Sequence, residues 1–135
     1  MPYQFLEHTA DVRAECRAPT FEALLETAAQ ALYAVAFNRI HHQADLERRL
    51  QLTADSPEET LVRWLQDLIY LMDVEHFIAT RFDIQATPTT TLHATLHGYH
   101  YTPEERATEI KAATYHGMKV SKTDAGYLAE VIFDL

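Results

Sequence analysis

The sequence predicts an α+β fold: a two-layer domain with a mostly antiparallel sheet and two main helices packed on it. Three observations carry this. Two segments, behind Thr20 and behind Ser56, show helical apolar spacing. Roughly seven short segments alternate apolar and polar residues. The second half of the chain then changes to strand period, with turn residues between the strands. At 135 residues, with 47% hydrophobic and 23% charged side chains, the chain has the length of one domain over residues 1–135 with a substantial core, and is too apolar for disorder. No internal repeat of fixed period is present.

Tyr3 to Glu7 alternates, with Tyr3, Phe5 and Glu7 against Gln4 and Leu6, and reads as a short strand. Val12 to Arg17 reads as a second, with Val12, Ala14 and Cys16 on one face and Arg13, Glu15 and Arg17 on the other. His8-Thr9-Ala10-Asp11 between them has no apolar period. Thr20 is an N-cap residue; Phe21, Leu24, Leu25, Ala28, Leu32, Val35 and Ala36 form one stripe behind it, and Asn38 is a stop. His41 to Asp45 is polar and reads as loop. Leu46 to Thr53 reads as a strand, although Arg48 shares the apolar face with Leu46, Leu50 and Leu52.

Ser56-Pro57-Glu58-Glu59 is the clearest local signal: a capping serine, proline at the first helical position and glutamate at the third. The helix behind it carries Leu61, Leu65, Leu68, Ile69 and Met72 on one face, with Val62 and Trp64 alongside, and ends near Val74 to His76. Ile78 to Ala86 and Leu92 to Leu96 then alternate, with Pro88 and Gly98 as punctuation. Tyr101 to Thr108 reads as loop. Ile110, Ala112 and Thr114 open another strand, which Met118 to Val120 extends past Gly117. Lys122 to Gly126 is turn chemistry. Tyr127 to Phe133 closes the chain, and its Val131-Ile132-Phe133 run is that of a central strand buried on both faces.

Twenty acidic residues against 11 basic ones give a net charge of −9. That mean field repels a nucleic-acid backbone, so no tight direct RNA binding is expected; a cation or a basic protein partner suits it better. The single cysteine, Cys16, excludes an intrachain disulfide framework and a cysteine-based zinc cluster. No basic-then-apolar leader opens the sequence and no window reaches 18 apolar residues, so a cytoplasmic protein with no membrane span is expected. With three glycines there is no phosphate-cradling loop of either common type.

The residues that could carry chemistry are few. Asp11 lies just past the first strand, and Asp134 follows the last apolar run, one residue before the α-carboxylate of Leu135. Together they would make an all-oxygen site, which favours Mg²⁺, Ca²⁺ or Mn²⁺ over Zn²⁺. The bland alternative is two solvated strand-end aspartates. His8 and His116 are adjacent candidates or satisfied, partly buried histidines. His93 and His97 share a strand face, but about 13 Å of strand rise between them prevents direct chelation of one ion, and both are expected to face solvent. Lys111 is either an edge lysine or a point charge offered to a phosphate. Cys16 has no activating partner in sequence.

His8-Thr9-Ala10-Asp11, Ile110-Lys111-Ala112-Ala113-Thr114-Tyr115-His116 and Val131-Ile132-Phe133-Asp134-Leu135 together resemble the archease family over essentially the whole chain. The segment around Leu61-Val62-Arg63-Trp64-Leu65 and the Gly126-Tyr127 turn fit the same pattern. Valine is more usual where Ala113 stands and tryptophan where Tyr127 stands; neither departure touches the polar residues. The resemblance implies a strand-helix-strand type of domain with an inserted module. It also implies a non-enzymatic accessory protein of the RtcB-type RNA ligase of tRNA splicing and RNA repair, which promotes guanylylation of the ligase from GTP and its repeated turnover. Carried over, Asp11, Asp134 and Leu135 correspond to a divalent-metal site and Lys111 to a residue needed for activation. A metal-binding chaperone or interaction module without ligase specificity is the alternative. A metal-dependent hydrolase is disfavoured because no general base stands beside the aspartates.

Overall fold

The computed structural model describes residues 2–6, 11–115 and 117–135. Along the chain these are β1 (Tyr3–Leu6), β2 (Asp11–Ala18), α1 (Phe21–Ala36), β3 (Leu46–Thr53), α2 (Pro57–Glu75), β4 (Phe77–Gln85), β5 (Thr91–His100), β6 (Ala112–Ala113), β7 (Lys119–Thr123) and β8 (Gly126–Asp134), with a 3-10 turn at Pro103–Glu105. The class is α+β, as the two periods predict. The strands divide between two antiparallel sheets. One is ordered β1-β2-β8-β6, with β7 also on β8; the other is β3-β5-β4. Each helix touches both sheets, so the core forms where helix stripes meet sheet faces.

The helices form where local chemistry directs. Thr20 Oγ1 accepts the Ala23 N–H at 3.1 Å, satisfying one of the open donors of α1. Its stripe of Leu24, Leu25, Ala28 and Leu32 is wholly buried. Ser56 Oγ accepts the Glu59 N–H at 3.1 Å, with Pro57 as the first residue of α2. The glutamate differs from a standard capping box: Glu59 Oε1 accepts from the Asp55 N–H at 3.3 Å, one residue before the cap. Ser56→Ala is expected to lower stability by about 1 kcal/mol, read from the denaturation midpoint at unchanged slope. At its other end α2 stops at His76, held in the left-handed region at φ 53° with its N–H bonded to Leu71 O.

Arg48 lies on the apolar face of β3 at no cost of an unpaired charge. Its Nε donates to Glu75 Oε1 at 2.6 Å, and its guanidinium lies 5.2 Å from the centre of the Phe77 ring.

In β2 the core face carries Ala14 and Cys16 opposite Val131 and Ala129, all buried. The other face carries Asp11, Arg13, Glu15 and Arg17 opposite Asp134, Ile132, Glu130 and Leu128. Ile132 is 6% exposed on that outer face while Val131 and Phe133 are buried on the inner one, which is the two-sided burial expected of the closing strand.

Several strand ends differ from the sequence reading by a residue, β2 among them, which begins at Asp11 rather than Val12; three differences are larger. The strand expected from Ile110 contracts to Ala112–Ala113. Gln66 of α2 borders this short strand: its Nε2 donates to Ala113 O at 3.0 Å, and the Ala113 N–H donates to Gln66 Oε1 at 3.4 Å. A side-chain amide thus takes the place of a neighbouring strand. The turn expected over Lys122 to Gly126 contracts to Asp124 and Ala125, because β7 pairs with β8 out to Thr123↔Gly126. Gly98 lies inside β5 rather than ending it.

Candidate functional site

β2 and β8 pair along their whole length, and this joins the two ends of the sequence. Asp11, the first residue of β2, lies directly opposite Asp134, the last residue of β8. Directly opposed residues of an antiparallel pair project to the same face. The two carboxylates therefore share the outer face at the rim of the sheet. The side chain of Asp11 is 16% exposed. Leu135 follows Asp134 and is exposed.

Lys111 comes to the same place through the backbone. Its N–H donates to Asp134 O at 2.8 Å, and the next residue, Ala112, is opposite Asp134. Its side chain is exposed. Two bonds from α2 steady the following segment: Ser56 Oγ lies 3.2 Å from Tyr115 Oη, and Glu58 Oε2 accepts the Val120 N–H at 2.9 Å. Together with the Gln66 bonds they tie Ala113, Tyr115 and Val120 to α2 and its cap.

Like charges placed opposite each other across a strand pair repel, and a nearby cation offsets that repulsion. Arg13 supplies one. Its Nη1 donates to Glu130 Oε1 at 2.8 Å, and its Nε is 3.9 Å from Asp11 Oδ1. A hard divalent ion would supply another. The donor set fits such an ion: the two carboxylates stand on one face at a rim, and hard oxygen donors suit Mg²⁺, Ca²⁺ or Mn²⁺ better than zinc. Among the described residues no group of three or more His, Cys, Asp or Glu side chains is placed to hold a metal.

His8 and His116 lie outside the described residues. His93 and His97 are on the other sheet, where β5 places them opposite Gln51 and Gln85, and opposite Glu47 and Arg81. His93 is exposed as expected, whereas His97 is half-buried. Cys16 is buried, and burial, then the charge of Glu15, pushes its thiol up to about 12, so it is no nucleophile at neutral pH. Among the described residues no helix is long and apolar enough to cross a membrane.

Sequence reasoning passed over Arg13, Glu130 and Gln66. Arg13 becomes legible only once β2 begins at Asp11, because alternation then sets it on that residue's face. Glu130 and Gln66 enter only through register and packing.

The Archease protein family (MTH1598/TM1083) matches residues 3–135. The chain is 34% identical to the protein archease of Archaeoglobus fulgidus, covering 100% of each chain. It is 33% identical to that of Methanosarcina mazei, covering 98% of this chain and 95% of the relative. Among solved structures, the solution structure of Methanobacterium thermoautotrophicum protein 1598 superposes with a TM-score of 0.79 at 28% identity, covering 99% of both chains. The Thermotoga maritima crystal structure, described as an archease and possible chaperone, superposes with a TM-score of 0.71 at 25% identity, covering 96% of this chain and 94% of that one. With the family match spanning nearly every residue and the same two-sheet α+β architecture in its structural relatives, this chain belongs to the archease family.

Proposed function

We propose that this protein is a non-enzymatic, cytoplasmic activator of an RtcB-type RNA ligase in tRNA splicing and RNA repair. In this reading Asp11, Asp134 and the carboxylate of Leu135 hold a divalent cation (Ca²⁺, Mg²⁺ or Mn²⁺), and Lys111 acts on the partner. The observation that supports it most directly is the Asp11–Asp134 cross-strand pair at a rim shared with Lys111. When bound, a divalent ion supplies positive charge for phosphate oxygens. The chain's own residues do the rest. The aspartates orient that charge outward from a rigid sheet end, and the exposed Lys111 ammonium offsets phosphate charge during guanylyl transfer. The net charge of −9 suits docking onto a basic, RNA-binding enzyme and disfavours tight RNA binding by the helper itself.

The test is GTP-dependent guanylylation of a cognate ligase with wild type, Asp134→Ala and Lys111→Ala. Stimulation should fall roughly ten- to a hundredfold in each variant while circular dichroism stays unchanged. Undiminished stimulation by both would remove this mechanism. The second reading, a metal-binding chaperone or interaction module without ligase specificity, draws on the description of the Thermotoga maritima relative as a possible chaperone. Stimulation of unrelated clients that is indifferent to Asp11→Asn would favour it.

A further inference from the structure

We infer that Arg13 is a built-in counter-cation that competes with a divalent ion for the Asp11–Asp134 pair and so sets the cation affinity of this strand end. The inference rests on the cation reading above and adds the group that regulates the site.

Alternation along β2 puts Arg13 on the face of Asp11, two residues on. The register sets it opposite Ile132, an apolar residue that offers no charge, so the guanidinium turns to its diagonal neighbours. Nη1 donates to Glu130 Oε1 at 2.8 Å on the next strand, and Nε lies 3.9 Å from Asp11 Oδ1 on its own. The guanidinium thus sits between two acidic rows, Asp11 with Asp134 and Glu15 with Glu130. Arg17, the next cation along β2, is engaged by Glu15 at 2.7 Å and stands two rows farther than Arg13 from the register position shared by Asp11 and Asp134. Arg13 and Asp11 are 35% and 16% exposed, so their attraction is less screened than that of a fully solvated pair.

A divalent ion on the two aspartates would be repelled by the fixed charge of Arg13 and would have to share Asp11 with it. The stronger bond to Glu130 gives the guanidinium a place to remain when an ion takes Asp11, so Arg13 tunes the site without blocking it. In the cation-free protein the same charge offsets the repulsion between Asp11 and Asp134.

The test is Mn²⁺ and Ca²⁺ titration calorimetry, with cation-dependent thermal shifts, on the full chain at about 0.1 M salt, where screening is moderate. Arg13→Gln should bind roughly three- to tenfold more tightly than wild type, with a larger upward shift of Tm on adding cation. Arg13→Lys, which keeps the charge, and Arg17→Gln, which removes a more distant one, should stay within about twofold. Equal or weaker binding by Arg13→Gln, against wild-type binding that Asp134→Asn abolishes, overturns the inference and leaves the cation reading standing. An equal gain in Arg17→Gln also overturns it, because net charge alone would then account for the effect. Absence, in wild type and Arg13→Gln alike, of any binding that Asp134→Asn removes overturns the cation reading and the inference together. Circular dichroism on each variant separates these outcomes from loss of fold.

Discussion

Gly98→Ala should lower stability by about 3 kcal/mol or more, read from equilibrium denaturation or as loss of folded protein on expression. A Cβ at this position would stand 1.8 Å from Ile78 O, 2.8 Å from Ile78 C and 2.9 Å from Ala79 Cα. Every one of those atoms is backbone, so no rotamer change relieves the contact. The close approach arises beside the irregularity of β4 between Ala79 and Arg81, where the strand presses against β5. Because β5 is the middle strand of its sheet, a shift there disturbs the pairing with both β3 and β4. A single domain of this size is stable by only about 5–15 kcal/mol, so the loss is a large fraction of the whole. If Gly98→Ala unfolds with the wild-type midpoint, the close approach is absent in solution.

Trp64→Ala should cost about 3–5 kcal/mol and lower Tm by on the order of 10 °C. Trp64 is fully buried on α2 and contacts both other layers. Its Nε1–H donates to Leu25 O on α1 at 2.8 Å, and its ring meets the Phe82 ring of β4 edge-on at 6.1 Å between centres. Truncation leaves a cavity where helix, helix and sheet meet and removes the bond that joins the two helices. Trp64→Phe should recover most of the packing and leave the smaller loss of one hydrogen bond, about 1 kcal/mol. A loss in Trp64→Ala no greater than that in Trp64→Phe would show that the cavity collapses.

Both positions show where sequence reasoning stops. Trp64 is recognisable as a core residue from helical spacing, yet its partner Leu25 is named only by the packing of α2 on α1. Gly98 reads as punctuation because glycine usually weakens a strand; here it sits mid-strand because another backbone occupies the space of its side chain. The candidate site divides in the same way. Asp11, Asp134 and Lys111 stand out in the sequence by type and by family resemblance. Gln66 does not, because a glutamine on a helix gives no sign that it will bond both backbone groups of Ala113.

The sequence alone determined the two helices and their serine and threonine caps, the strand periods, and hence the α+β class. These follow from hydrogen bonds and periodicities among neighbours in the chain, which residue order specifies directly. That Asp11 shares a face with Arg13 needed the structure, which begins the strand at Asp11 rather than Val12. Only the tertiary structure decided that the strands divide between two sheets, that Asp11 faces Asp134, that Arg13 reaches Glu130, and that Gln66 bonds the backbone of Ala113. Such contacts join residues far apart in sequence. Their register is set by burial summed along whole strands, Ala14 against Val131 and Cys16 against Ala129 among them, and no local pattern carries that sum.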